Sequence, residues 1–89
     1  DFKGKRLIGM NFTEADLTGS NFTGAIFEEC HLAGVHVSKE TLFDGADFRG
    51  AFIAASQLEL ASLRGAMMSP VQADLLLYER FGIVVDEGS

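Results

Sequence analysis

The chain has no Trp, one Cys, one Pro and one Tyr among its 89 residues. Each scarcity excludes something. A lone Cys30 closes no internal disulfide, so the fold is not cysteine-stapled, and a reducing compartment fits. Seven basic residues against thirteen acidic ones leave a net charge of −6. They are scattered from Lys3 to Arg80, so the basic stripe that supplies most affinity for a nucleic-acid backbone is missing, and direct nucleic-acid binding is not expected. No apolar run approaches the eighteen or so residues of a membrane span, and no charged leader with an apolar stretch opens the chain. The expectation is a cytoplasmic protein without membrane contact. The chain starts at Asp1 without an initiator Met, already inside its pattern, which suggests a part of something longer.

What is abundant is apolar: 47% of the residues, with eight Phe and ten Gly. For a single domain of this length that is ample core, provided the apolar residues meet. Their spacing shows how. Counting by fives gives Phe2, Leu7, Phe12, Leu17, Phe22, Phe27, Leu32 and Val37, and again Phe43, Phe48, Ile53, Leu58, Leu63 and Met68. Two residues before these central positions stands a small series: Ala15, Ser20, Ala25, Cys30, Ala46, Ala51, Ser56, Ala61 and Ala66. Two residues after them fall eight of the glycines.

A period of five is neither a strand at two nor a helix at 3.6. Large and small series share one axis only if the backbone turns a corner in every repeat. Glycine suits that corner because it adopts positive φ without steric cost. Coils stacked this way pair their backbones about 4.8 Å apart. The predicted core is Phe12, Leu17, Phe22, Phe27, Leu32, Val37, Phe43, Phe48, Ile53, Leu58 and Leu63.

Two defects interrupt the pattern. From Val37 to Phe43 is six residues, and placing Leu42 centrally would bury Glu40, which is costly for an unpaired carboxylate. The extra residue therefore lies within Ser38–Glu40 as a corner bulge, with Thr41 in the small slot. Lys5 and Met10 fit small slots badly, predicting a frayed or misshapen first coil.

After Met68 the period stops. Ser69-Pro70-Val71-Gln72 reads as an N-cap, a first-position proline and a capping box, predicting a helix from Pro70 to about Phe81 with Gly82 as its C-cap and a short β-prone tail, Ile83 to Val85. The organisation is a coil region over 1–68, a cap and tail over 69–85, and a polar end over 86–89. More apolar residues lie on the helix than one stripe needs. One face covers the open end of the last coil, and the rest predicts a homodimer through Leu75, Leu76, Tyr78, Phe81, Ile83 and Val84.

No catalytic, metal or cofactor site is expected. Cys30 falls in the inward series as a packed thiol. His31 and His36 point outward from adjacent sides and cannot share an ion. No phosphate-binding Gly loop followed by Lys-Ser or Lys-Thr is present, and no small-molecule substrate is expected.

Units such as Ala15-Asp16-Leu17-Thr18-Gly19, Ser20-Asn21-Phe22-Thr23-Gly24 and Ala46-Asp47-Phe48-Arg49-Gly50 resemble the A-(D/N)-(L/F)-X-X repeat of the pentapeptide-repeat family. The resemblance implies an all-β solenoid, a right-handed quadrilateral β-helix of about three and a half coils with a C-terminal capping helix. The ending Gln72-Ala73, the leucine run, Glu79-Arg80, Gly82-Ile83 and the valines are similar to the C-terminus of the quinolone-resistance (Qnr-type) branch. That branch implies a C-terminal half of a dimeric DNA mimic that binds type II topoisomerase (gyrase) and shields it from quinolones. Mimicry demands carboxylates in rows. The candidates are Glu14, Asp16, Glu28, Glu29, Asp44 and Asp47, but twenty-residue stacking interleaves them with Arg49, His36 and Arg64. The alternative is a generic interaction scaffold or spacer with an unrelated partner.

Overall fold

A computed structural model describes residues 1–86; residues 87–89 of the expected polar end lie outside the described residues. Three parallel strands, β1 (Arg6–Ile8), β2 (Ile26–His31) and β3 (Asp47–Phe52), form one sheet in the order β1-β2-β3. Arg6 pairs with Ile26 and Leu7 with Phe27. Beyond the sheet, isolated parallel bridges join Asn11 to His31, Asp16 to His36, Leu42 to Ser62 and Asp47 to Met67. All of these partners are twenty residues apart, so the chain returns above itself after four repeats of five. The result is a β-helical solenoid. Pairs that span Ser38–Glu40, Asn21 with Leu42 and Ile26 with Asp47, are twenty-one apart and register the one inserted residue.

Ordinary corners close with a hydrogen bond from the small residue back to the central one, as from Ala25 N to Phe22 O and from Ala46 N to Phe43 O, both at 2.9 Å. Gly24 and Gly45 supply the left-handed residue at φ 70°. At the insertion, Thr41 N closes the corner onto Ser38 O at 2.9 Å. Thr41 is fully buried, and its hydroxyl donates to Leu17 O and accepts from Ser38 N, each at 3.0 Å. A hydroxyl can satisfy two backbone groups there; the neighbouring Glu40 carboxylate could not, and it stays exposed.

Phe22, Phe27, Leu32, Phe43, Phe48, Ile53 and Leu58 fill the bore with Leu17, while Phe12, Val37 and Leu63 are partly buried against them. Like rings stack from coil to coil. Phe22 sits 4.9 Å from Phe2 and 5.2 Å from Phe43, and Phe27 sits 5.2 Å from Phe48, all near parallel. Ala25, Cys30, Ala46 and Ser56 are buried beside them, small enough to let the walls close in.

Two expectations need correction. The first coil is not misshapen: Phe2 N donates to Asn21 O, Gly4 N to Thr23 O and Lys5 N to Phe2 O at 2.8–3.0 Å. Lys5 and Met10 escape their small slots by turning outward, where both are exposed. Nor is Gly50 a positive-φ corner like the glycines in equivalent positions. The register of β2 against β3 slips there, with Glu28 facing Gly50, and a Cβ on Gly50 would lie 3.1 Å from Phe27 O. Glycine is required by close approach rather than by handedness. Conversely Glu14, Glu29 and Ala55 take the left-handed conformation in that slot without glycine's freedom.

The helix α1 (Pro70–Phe81) starts on Ser69 with both halves of a capping box, and ends on Gly82 at φ 70°. Ile83–Val85 form no strand.

Candidate functional site

Two surfaces present side chains outward: the wall of the coils and the cap. On the wall, the residue just before each central position projects from a stacked bridge. His31 lies on Phe52 with ring centroids 4.7 Å apart, and His36 bridges Asp16 on another stack. The two histidines are therefore parted, as their spacing predicts. Cys30 is buried, its thiol 3.4 Å from the carbonyls of Leu7 and Glu28. Among the described residues no group of three or more His, Cys, Asp or Glu side chains converges as for a metal.

The six candidate acidic residues do not make a row. Glu28 is held in a two-point pair by Arg6 at 2.9 and 3.1 Å. Asp47 accepts from Arg49 Nε and Nη2 and from its backbone N–H at 2.9–3.0 Å. Asp44 accepts from Ser62 Oγ, and Asp16 caps Thr18 N at 3.0 Å. Glu14 lies against Gly34, and Glu29 stands exposed at a corner. Most of these carboxylates are thus structural: Asp16 and Asp47 sit one residue before the central position and tie down the corner that follows, as Asn11 and Asn21 do.

The hydrogen bonds from Arg49, side chain first and backbone second, hold the Asp47 carboxyl below the usual carboxylate range. A depressed folded pKa means stability that is complete above the unfolded value and lost as pH falls through the folded one. Thermal unfolding followed from pH 7 to pH 3 is expected to show an acid-side loss, and Asp47→Asn should flatten its lower limb.

The cap is organised by one stripe of α1. Gln72, Leu76 and Glu79 face the last coil. The Gln72 amide donates to Phe48 O at 2.6 Å and Ala51 O at 2.9 Å, while its oxygen accepts from Ser69 N at 2.8 Å. Leu76 is buried at 8% exposure. Both Glu79 oxygens accept from Ala55 N at 3.1 and 3.0 Å. Side chains thus replace the next coil and terminate an otherwise open backbone edge. Gln72→Ala is expected to cost about 1–3 kcal/mol in urea unfolding, because two buried carbonyls lose their donor.

This arrangement divides the predicted dimer set, and Leu76 must be withdrawn from it: that side chain belongs to the chain's own core. Leu75 is half-buried against the same core. Tyr78, Phe81, Ile83 and Val84 are exposed, as is Val71. Val71, Asp74, Leu75, Tyr78, Ile83 and Val84 line an apolar groove of about 410 Å³ on one flank. Phe81 faces a different cavity, of about 530 Å³, with Leu77, Leu63 and Met68.

The five-residue pattern has a counterpart among known protein families. The pentapeptide-repeat family profile matches residues 1–37 as eight copies. Over residues 1–37 the repeats match pentapeptide repeats. Among solved structures, the pentapeptide solenoid is similar to a trypsin-treated variant of QnrB1, a plasmid-mediated fluoroquinolone resistance protein, at a TM-score of 0.61 and 20% identity over 91% of this chain. A second trypsin-treated QnrB1 variant superposes at a TM-score of 0.41, also at 20% identity over 91% of this chain and 45% of its own, too low to add weight. The chain spans 44% of the length of the first structure. At that identity the likeness concerns the fold. No curated protein matches the sequence significantly. Among the described residues no helix is long and apolar enough to cross a membrane.

Proposed function

We propose that this chain is a non-catalytic binding scaffold, the C-terminal part of a Qnr-like pentapeptide-repeat protein that binds type II DNA topoisomerase (gyrase) and protects it from quinolones. The coils over 1–68 form a right-handed quadrilateral rod, and the cap over 69–85 joins two copies, in the cytoplasm. The observation that carries this reading is the cap. One stripe of α1 seals the last coil while the flank with Val71, Tyr78 and Val84 stays exposed and apolar, which supports a surface shared with a second copy. The Qnr-like ending and the likeness to a fluoroquinolone resistance protein supply the topoisomerase part.

A gyrase supercoiling assay in the presence of a quinolone tests it. Supercoiling is expected to recover on adding the full protein, and no recovery at saturating protein would remove the topoisomerase role.

The ion pairs on the wall favour a second reading. Arg6–Glu28 and Arg49–Asp47 neutralise two of the acids that a duplex-like face would need. Pairs as exposed as Arg6–Glu28 add little stability, so their main effect is on the outward charge pattern. That pattern suits a protein-interaction scaffold whose partner does not bind DNA.

A further inference from the structure

Between the short 3₁₀ turn Leu58–Leu60 and α1 lies a cleft on the flank opposite the Tyr78 groove. Its polar half, about 450 Å³, is lined by Gln57, Glu59, Leu60, Glu79 and Arg80. Its apolar half adjoins through Glu59 and ends on Leu77 and Phe81. Glu59 Oε1 is buried at this junction without a hydrogen-bond partner, and no other side-chain nitrogen or oxygen among the described residues is left so. A buried carboxylate oxygen without a donor is costly. The neighbouring groups do not relieve it. Glu79 is another carboxylate, with both oxygens committed to Ala55 N. The Arg80 guanidinium rests over the Phe81 ring, 5.2 Å from its centroid. Oε1 itself is closed to solvent, but Glu59 is only half-buried and lines both halves of the cleft, so its carboxylate places a negative charge at the waist with an apolar floor beside it.

We propose that this cleft docks a lysine or arginine side chain of a partner protein, with Glu59 receiving the cation and Leu77 and Phe81 lying beneath its methylene stem. Long basic side chains are suited to such a site, since they lay an apolar stem on apolar surface and carry the charge at the tip. Charge complementarity selects the occupant: an acidic side chain would meet Glu59 and Glu79, and a purely apolar one would leave the Glu59 carboxylate without a counter-charge. The inference stands apart from the topoisomerase reading, because the cleft is built from the last coil and the cap alone.

The test is an amide-resolved NMR titration of the whole chain with Nα-acetyl-lysine methylamide, using the uncharged norleucine analogue as control. Saturable shifts are expected at Glu59, Leu77 and Phe81, with affinity about ten-fold or more above that of norleucine. Glu59→Gln, which preserves shape, should abolish that difference while circular dichroism stays unchanged. Arg80→Ala should leave binding intact or tighten it. The proposal is overturned by equal binding of the two analogues, by unaltered binding in Glu59→Gln, or by shifts spread over Glu14, Glu29 and the other wall acids. A crystal structure grown with the lysine analogue that shows only water or Arg80 on Glu59 would overturn it too. Quinolone protection by Glu59→Gln is read separately, so failure of either idea is distinguishable from failure of the other.

Discussion

Phe22→Ala is expected to lower the unfolding free energy by about 3–5 kcal/mol, a large part of what a domain of this size possesses. The ring is fully buried, sandwiched between Phe2 and Phe43, with Phe12 edge-on and Phe27 tilted against its sides. Truncation opens a hole that neighbouring coils cannot close, because their spacing is fixed by backbone hydrogen bonds such as Phe22 N to Leu42 O at 2.7 Å. Each repeat is held only by the coils next to it, so the loss uncouples the first coil from the third. Urea unfolding monitored by circular dichroism reads the change. Phe52→Ala is the matched control: that ring is 58% exposed on the outer wall, and its loss should cost well under 1 kcal/mol. If the two substitutions cost the same, the inward assignment of the central series is wrong.

The axis was legible because three kinds of residue repeat in phase. Phe22, Ala25 and Gly24 each carry a different requirement of one corner, and no strand or helix asks for all three every five residues. Thr41 was legible for a related reason, since the alternative buried a carboxylate. Gly50 was misread because glycine answers two demands that look identical in a sequence: a left-handed φ, and room for Phe27 O to approach. The slip between β2 and β3 that separates them is a property of neighbouring coils. The same distinction explains the cap. Ser69 and Gln72 announce a helix start by their local spacing, but the reach of the Gln72 amide to Phe48 and Ala51 depends on where the last coil ends. Leu75, Leu76 and Leu77 read alike, yet the crossing of α1 over the coil places them half-buried, buried and partly exposed. Glu59 carried no signal at all, since an orphaned oxygen exists only once the turn and the helix are brought together.

Tyr78→Asp is expected to convert the proposed dimer to a monomer, raising its dissociation constant by roughly thirty-fold to a thousand-fold, the range for loss of a central aromatic anchor. Tyr78 is 60% exposed in the single chain and lies in the groove with Val71, Ile83 and Val84, which are 77%, 45% and 80% exposed. Such a set is unfavourable in water, and a two-fold axis through the groove would hide it from both copies at once. Because the stripe of Gln72, Leu76 and Glu79 attaches α1 to its own coil, a charge at position 78 leaves that attachment in place. The β-rich circular dichroism and the unfolding midpoint at low concentration should therefore stay near those of the parent. Leu76→Asp separates assembly from folding: it places a carboxylate in the core, so it should melt the cap as well as the dimer. Sedimentation across a range of concentrations measures both. A parent chain that sediments as a monomer at every concentration would leave the groove without its second copy.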